Sequence, residues 1–545
     1  MALRIDNTEA NITFENGNPV WANCVNEQRS LPLAIVKPET LQQLVGILTD
    51  AHRLGHRVHA AGSGHSFSDI TNCDNAVLVS MQLLRRLSMV DNGEDGIVAI
   101  TPPTSISPND DARARFNAIV SRLRDPGDTA NRSRKLARVQ AGITIRDLNT
   151  ELDNRNLSLL NMGGYDGQTL AGAMSTATHG SGITYGPLPS FVRAIVLVSE
   201  NGTVYQIEPG DNSVGNGPLS NSSIFPNAVD GVPVVLKQDN DWFRAALVSI
   251  GCLGVIYSYV IEVRDAFFIR EMRTATKWDD IRKELLPELW APVAPIVAGA
   301  DHFELVLNPY MSWSHSSCIR VERMRMNGKA RKSGERKDWL GALLVQFSIY
   351  SVSGLVGLLN RLPVVSPIAI NKAIATLVES DPYIDKSFRV FNLGAANGIK
   401  AQALELHCNA AQCVPVIDNL LTVFNEEAKR HNWYMAGPLG IRFTGPSDAF
   451  LAPETGRMTC SIELDMLVGV ETGASLAQSI KEHVCTNDTS SVRVHWGLDL
   501  GLVTADDVRA WYPDFPAWHA VYQQLNSTGM FNNKFTDRIG ISTPD

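Results

Sequence analysis

Apolar positions in this chain follow two spacings that alternate up to about Val263. Leu41, Leu44, Val45 and Leu48 recur at helical intervals, as do Ile145, Leu148 and Leu152. Each set lays an apolar stripe along one helix face. Around them stand short runs rich in β-branched residues: Pro32-Leu-Ala-Ile-Val, Val58 to Ala61, Val77-Leu-Val-Ser, Arg138-Val-Gln-Ala-Gly and Val192 to Val198. These read as strands. The order strand, helix, strand, strand over residues 33–90 predicts a small α/β unit. Residues 104–136 interrupt the pattern with Pro108, Asp110, Asp111 and several arginines. They predict an insertion, a surface loop with a helix around Ala112 to Leu123. Phe243 to Val263 predicts a helix end, a tight turn at Gly251 and Gly254, and an alternating strand.

From about residue 265 the composition changes. Strand-like runs at Ala300–Leu307 and Ser316–Val321, with apolar helices at 339–360 and 412–428, predict a second, α+β unit. Trp339 to Asn360 carries no charge and follows a basic run, Arg323, Arg325, Lys329, Arg331, Lys332, Arg336 and Lys337. Three readings stay open there: a buried or amphipathic helix, peripheral membrane contact near 323–360, and a true membrane span. Gln346, the serines and glycines, and Pro363 favour the first. No internal repeat is present.

Two glycine-rich stretches carry the candidate chemistry. In Gly62-Ser63-Gly64-His65-Ser66, two glycines one residue apart let the backbone approach a flat or anionic group. The histidine between small residues is open on both sides. The segment reads either as a glycine-rich turn with a surface histidine or as a flavin site. From Gly163 to Gly182 nearly every residue is small. Such a stretch builds little core and suits a backbone that wraps a large ligand and offers amides to phosphates.

At 545 residues the chain is expected to form two or three domains. A net charge of −9 and a pI near 5.8 argue against general nucleic-acid binding. The eight cysteines form no CxxC pair and no zinc-like spacing with histidine, so no metal is expected. They read as buried thiols of a reduced, cytoplasmic setting. The N-terminus has no apolar h-region, so no secretory signal is expected.

Taken in order, the Gly62–Ser66 loop, Ala171-Gly172…Ser175-Thr-Ala-Thr178-His179-Gly-Ser-Gly182 and Gly251-Cys-Leu-Gly254-Val255-Ile resemble the FAD-linked oxidases of the vanillyl-alcohol-oxidase fold. Later segments are similar to the aldonolactone and alditol oxidase branch. These are His302-Phe303 with Asn308-Pro-Tyr310, Pro438-Leu-Gly-Ile-Arg442-Phe-Thr, Gly456-Arg-Met-Thr-Cys, His495-Trp-Gly, and Leu525 to Asn533. The resemblance implies an α+β protein. A two-subdomain FAD-binding domain of the PCMH type spans 1–264, an α+β cap with a mixed or antiparallel sheet spans 265–505, and 506–545 returns to the FAD domain. It implies FAD bound covalently through His65. Cofactor contacts are implied at Gly62, Ser63, Gly64, Ser66, Gly163, Gly164, Gly172, Ser175, Thr178, His179, Gly182, Gly251, Gly254, Val255 and Asn533. The implied partners are a small-molecule substrate and O2.

Arg442, in the apolar run Gly440-Ile-Arg-Phe, is the candidate cation for charge developing during oxidation. His495 is the candidate for contacting substrate or carrying a proton. His179 is expected to face phosphate or ribityl, or to make a structural hydrogen bond. A glycine at 163 is expected to leave room for O2, favouring an oxidase over a dehydrogenase. Two positions depart from the branch: Gly440 stands where it carries glutamate, and Leu498 where it carries lysine. Both losses predict a less charged site and admit a less polar alcohol as substrate. Glu463, alternating with Asp465 on one strand face, is the candidate to restore a carboxylate. A dehydrogenase using a carrier acceptor and a flavin-binding protein with degenerate catalytic residues are the competing readings.

Overall fold

The computed structural model describes residues 12–15, 17–90, 134–215, 217–223, 225–287, 293–310, 316–326, 330–334, 352–393, 401–485, 492–499 and 501–542. Most of the insertion expected at 104–136, its helix, and the first part of the apolar 339–360 segment lie outside the described residues.

Three of the five sheets among the described residues position the site. The first 90 residues build a parallel sheet in which Ala76–Ser80 pairs with Ala34–Val36 on one side and Arg57–Ala61 on the other. The crossover helix is Leu41–Leu54, with Leu41, Leu44 and Leu48 fully buried. The Thr40 side chain accepts the Gln43 amide at its start, and Gly55 ends it at φ 69°, a left-handed conformation that glycine adopts without strain.

A seven-stranded sheet follows, in the order Val235–Gln238, Val204–Glu208, Val192–Val198, Val255–Asp265, Arg134–Gln140, Leu87–Val90, with Leu157–Ser158 also on Val255–Asp265. Strand Arg134–Gln140 begins inside the predicted insertion. Val255–Asp265 differs from its predicted alternation, being buried through its first nine residues. It lies mid-sheet with neighbours on both edges, and both of its faces are covered.

The third sheet has eight strands, all antiparallel, between Phe268 and Val494. Its strand Ser317–Met326 takes in Arg323 and Arg325 of the basic run. Arg323 is buried among carboxylates and so belongs to no surface patch. Among the described residues no single helix is long and apolar enough to cross a membrane. Gly354–Arg361 and Pro363–Leu377 pass that test only as a pair bent by 106°. Leu355 and Leu359 pack against Ala369, Ala373 and Leu467, while Leu362, Val364 and Ile368 stay exposed.

The last forty or so residues run back over the first two sheets. The Val58 amide donates to the Met530 carbonyl at 2.9 Å. Ser527 and Thr528 both donate to Glu200. Asn533 caps the final helix through Thr536 and donates its side-chain amide to the carbonyls of Ile70 and Asn72 at 3.1 and 3.0 Å. This single side chain ties the C-terminus to the segment after the Gly62–Ser66 loop. Replacing Asn533 by Ala removes a cap and orphans buried carbonyls, so it is expected to cost about 1–3 kcal/mol. The thermal midpoint of the full chain reads this directly; an unchanged midpoint would show that the tie carries no stability.

Candidate active site

The Gly62–Ser66 loop leaves the C-terminal end of strand Arg57–Ala61 and is held from three sides. The Cys24 amide donates to the Gly64 carbonyl at 2.9 Å, and Asn23 Nδ2 to the Ser66 carbonyl at 3.0 Å. The Phe67 amide donates to the Gly497 carbonyl at 2.7 Å, which brings the His495-Trp-Gly turn against the loop. A Cβ on Gly62 would lie 2.0 Å from Thr169 Oγ1, so only glycine lets the two glycine-rich stretches touch. Thr169 in turn caps helix Leu170–Ser175. Here the 161–182 stretch differs from a purely ligand-wrapping backbone, since Leu170, Ala173, Met174 and Ala177 enter the core.

Between these segments lies an open cleft. Of the residues named above as cofactor candidates, Gly62, Ser63, Gly64, His65, Ser66, Gly172, Ser175, Gly251 and Gly254 line it, together with His495, Gly497 and Leu498. Among the described lining residues none is Asp, Glu, Lys or Arg. No fixed anion repels a diphosphate there, and small hydroxyl side chains such as Ser63, Ser66, Thr169 and Ser175 supply donors. A Cβ on Gly251 would meet nothing within 4 Å. The cleft fits a long, anionic dinucleotide such as FAD.

Other expected cofactor residues lie elsewhere. Val255 starts the central strand, buried beside Val198. Asn533 makes the tie described above. Gly182, at φ +108°, packs on Asp301 and His302, where a Cβ would sit 2.7 Å from the Asp301 carbonyl. Gly164 accepts the Leu393 amide at 2.7 Å and touches that side chain. A Cβ on Gly163 would meet the His179 carbonyl at 3.1 Å, so close backbone approach accounts for this glycine. Thr178 Oγ1 is buried without a hydrogen-bond partner.

His179 turns away from the cleft and makes structural hydrogen bonds. Its Nδ1 meets the Gly180 carbonyl at 2.8 Å and its Nε2 meets Glu405 Oε1 at 3.1 Å. Burial opposes its charge, but the Glu405 carboxylate outweighs this and holds His179 up at about 9. His407 and His495 complete the cluster, with ring centroids 5.2 and 6.5 Å from His179. Burial drives His495 down to about 4. The Gly497 amide donates to its Nδ1 at 3.1 Å, so the neutral ring carries its proton on Nε2. Donor atoms of His179, Glu405 and His407 lie within 4.8 Å of one another, a set suited to a cation by donor type. Arg442 Nη1 already stands 3.8 Å from the same Glu405 carboxylate.

Arg442 is the hub of the cap side. Its Nη1 lies 2.6 Å from Glu463 Oε2, and its Nε 3.8 Å from Glu304 Oε1. Gly440 faces Glu463 across the strand pair. A Cβ at Gly440 would already stand 3.8 Å from Glu463 Oε2, so the bare glycine leaves that space to the neighbouring strand's carboxylate. Glu463, the candidate to restore a carboxylate, reaches Arg442 from the next strand. Leu498 adds no polar group. Glu304, squeezed upward by burial but facing Arg323 and Arg442, is held at about 2. Burial first, then Glu463 and Glu405, push Asp465 well up from the usual carboxylate range. Arg442, Glu304 and Arg323 also border a second, very small space with Gly164, Phe391 and Leu393.

Comparison with known proteins agrees with this geometry. Residues 32–108 and 109–208 match an FAD binding domain, and residues 261–539 match the D-arabinono-1,4-lactone oxidase family, which is half of the chain. The chain belongs to the D-arabinono-1,4-lactone oxidase family. An L-gulono-1,4-lactone dehydrogenase of Mycobacterium tuberculosis is 26% identical over 96% of this chain and 99% of its own. An L-gulonolactone oxidase of Bos taurus is 22% identical over 97% and 98%. A cholesterol oxidase of Brevibacterium sterolicum shares the fold, with TM-score 0.67 at 14% identity over 99% of both chains. The chain is an FAD-dependent oxidoreductase acting on CH–OH donors, and its FAD-binding domain is joined to an antiparallel cap.

Within this D-arabinono-1,4-lactone oxidase framework, three participants escaped sequence reasoning. Glu405 and His407 lie two apart on strand Ala401–Asn409, which resembles any half-polar strand until its neighbours are known. Tyr165 places its hydroxyl on His65 Nε2, with ring centroids 4.3 Å apart. The His179 pair sets a pH dependence. A pKa raised from 6.5 to about 9 contributes stability that is full below about 6.5 and lost as pH rises through 9. The thermal midpoint is therefore expected to fall between pH 6.5 and 9, and Glu405→Gln is expected to flatten that fall. An equally steep fall in the variant would remove Glu405 as its cause.

Proposed function

We propose that this chain oxidises the CH–OH group of a sugar lactone or polyol through FAD, with O2 as the electron acceptor and H2O2 as the product. The observation that carries the substrate class is the charged wall around Arg442, where Glu463, Glu304 and Glu405 lie within 4 Å of one guanidinium. An apolar alcohol offers nothing to such a wall, whereas a polyhydroxylated ring satisfies it. The lactone and alditol oxidising relatives support the same class.

FAD, when bound, would accept a hydride from the carbinol carbon, which carries both electrons of the oxidation. The cleft amides and hydroxyls from Gly62–Ser66, Thr169, Gly172 and Ser175 hold it, with His65 as its covalent tether. Arg442, fixed by Glu463 and Glu304, holds the substrate oxygen as negative charge grows on it. Glu463 accepts the hydroxyl proton. Neutral His495 offers its Nε2 hydrogen into the cleft and helps to orient the substrate.

The Mycobacterium tuberculosis relative is a dehydrogenase by description, so a carrier acceptor is the competing reading. Anaerobic mixing with aldonolactones, alditols and apolar alcohols, followed by a peroxide assay in air, separates the readings. Bleaching of the flavin by lactones or polyols, with H2O2 in air, is the expected result. Bleaching without peroxide assigns a carrier. Bleaching by apolar alcohols alone overturns the substrate class, and no bleaching at all supports the degenerate reading. Arg442→Met is expected to lower kcat/KM about 10²–10³-fold with FAD retained.

A further inference from the structure

Tyr165 takes no part in the chemistry assigned above, yet its hydroxyl is aimed at the one side chain that meets the cleft as a candidate tether. Its hydroxyl lies on His65 Nε2, and the two rings are tilted by 51°. The loop is shaped to hold it there. A Cβ on Gly167 would fall 2.1 Å from the Tyr165 hydroxyl oxygen and 2.5 Å from its ring carbon, so a glycine is needed for the phenol to fold back. The loop is fixed on either side of Tyr165. The Leu393 amide holds the Gly164 carbonyl at 2.7 Å. Arg146 holds Asp166 at 2.8 Å, and Asn392 donates to the same carboxylate.

We propose that Tyr165 is the positioning residue for the tether: its hydroxyl oxygen accepts a hydrogen from His65 Nε2, so that the lone pair of Nδ1 faces the flavin methyl. This rests on the covalent reading of His65 given above. A neutral imidazole has one lone pair, and the hydrogen bond decides which nitrogen carries it. Burial, aided by the Arg146 charge, drives His65 down to about 4, so the ring is neutral at ordinary pH. Burial, chiefly, raises Tyr165 to about 12, so the phenol stays protonated and serves as a hydrogen-bonding partner rather than a standing anion.

The step balances as follows. The flavin 8-methyl group loses one proton, Nδ1 bonds to that carbon, and the imidazolium so formed loses its Nε2 proton by way of Tyr165. The methyl carbon is oxidised by two electrons, and the flavin ring system holds that pair. The acceptor of the normal turnover, O2 or a carrier, then removes it.

The test follows covalent incorporation in the full chain. Apoprotein of the unmutated chain, Tyr165→Phe and His65→Ala is mixed with FAD, and acid-precipitated samples are read for flavin in the pellet over time. The expected result is tight FAD binding in all three, full tethering in the unmutated chain, and none in His65→Ala. In Tyr165→Phe the tethering rate is expected to fall about 10²-fold. Tethering of Tyr165→Phe at the unmutated rate overturns the role of Tyr165 and leaves the tether intact. Release of all flavin from the unmutated chain overturns the tether itself. A second measurement needs no variant: NMR of the flavin-bearing peptide from the unmutated chain should show the bond at Nδ1, and a bond at Nε2 overturns the proposal.

Discussion

A band of alternating charge crosses the buried face of the cap sheet, and the site is built on it. Arg273 pairs with Glu271 at 2.8 Å, Glu271 with Arg323 at 2.6 Å, and Arg323 with Glu304 at 2.5 Å. Arg442 follows, flanked by Glu304, Glu463 and Glu405, and Glu405 ends the band on His179. Strand register sets this order, because Glu271 faces Arg323, Glu304 faces Arg442, and Glu463 faces Glu405. Removing one member of a buried pair typically leaves several kcal/mol of uncompensated charge, so each residue constrains the next. Arg442 can stay charged and oriented away from bulk water only because the band continues on both sides of it.

The two halves of the molecule divide the electrostatic work. The cofactor cleft is lined by small and neutral residues, with backbone amides and hydroxyls as donors. Fixed charges gather on the cap. A dinucleotide brings its own negative charge and needs a surface that does not repel it. A developing alkoxide needs a cation that is already in place and costs no reorganisation when the reaction occurs. The halves meet at many points, and one of them is the His495-Trp-Gly turn. The Gly497 carbonyl accepts the Phe67 amide, and the His495 amide donates to the Glu405 carbonyl at 3.0 Å. One short turn therefore touches both the Gly62–Ser66 loop and the charge band.

Local pattern foresaw much of the framework. The stripe of Leu41, Leu44 and Leu48 became a buried helix face, and the two glycine-rich stretches met around one cleft. Where expectation and structure part, the cause is tertiary. Gly440 looks like a lost carboxylate when strand Leu439–Thr444 is considered alone, but Glu463 fills that space from the adjoining strand. For His179 the sequence left a phosphate contact and a structural hydrogen bond open, and the ring takes the second, on a carboxylate 226 residues away. Arg323 heads an apparent basic run and is in fact a buried ion-pair member.

What the sequence determined by itself was the elements around the cleft, while the cofactor class came from the resemblance of its ordered motifs to a known family. Backbone freedom at glycine and the periodicity of apolar side chains are properties of a few consecutive residues. Tertiary structure alone decided which charges surround Arg442, which way His179 turns, and that Tyr165 meets His65. Those contacts depend on strand register and on loop closure between segments distant in the chain. A one-residue slip in a strand moves every side chain to the opposite face, so no local pattern could assign them.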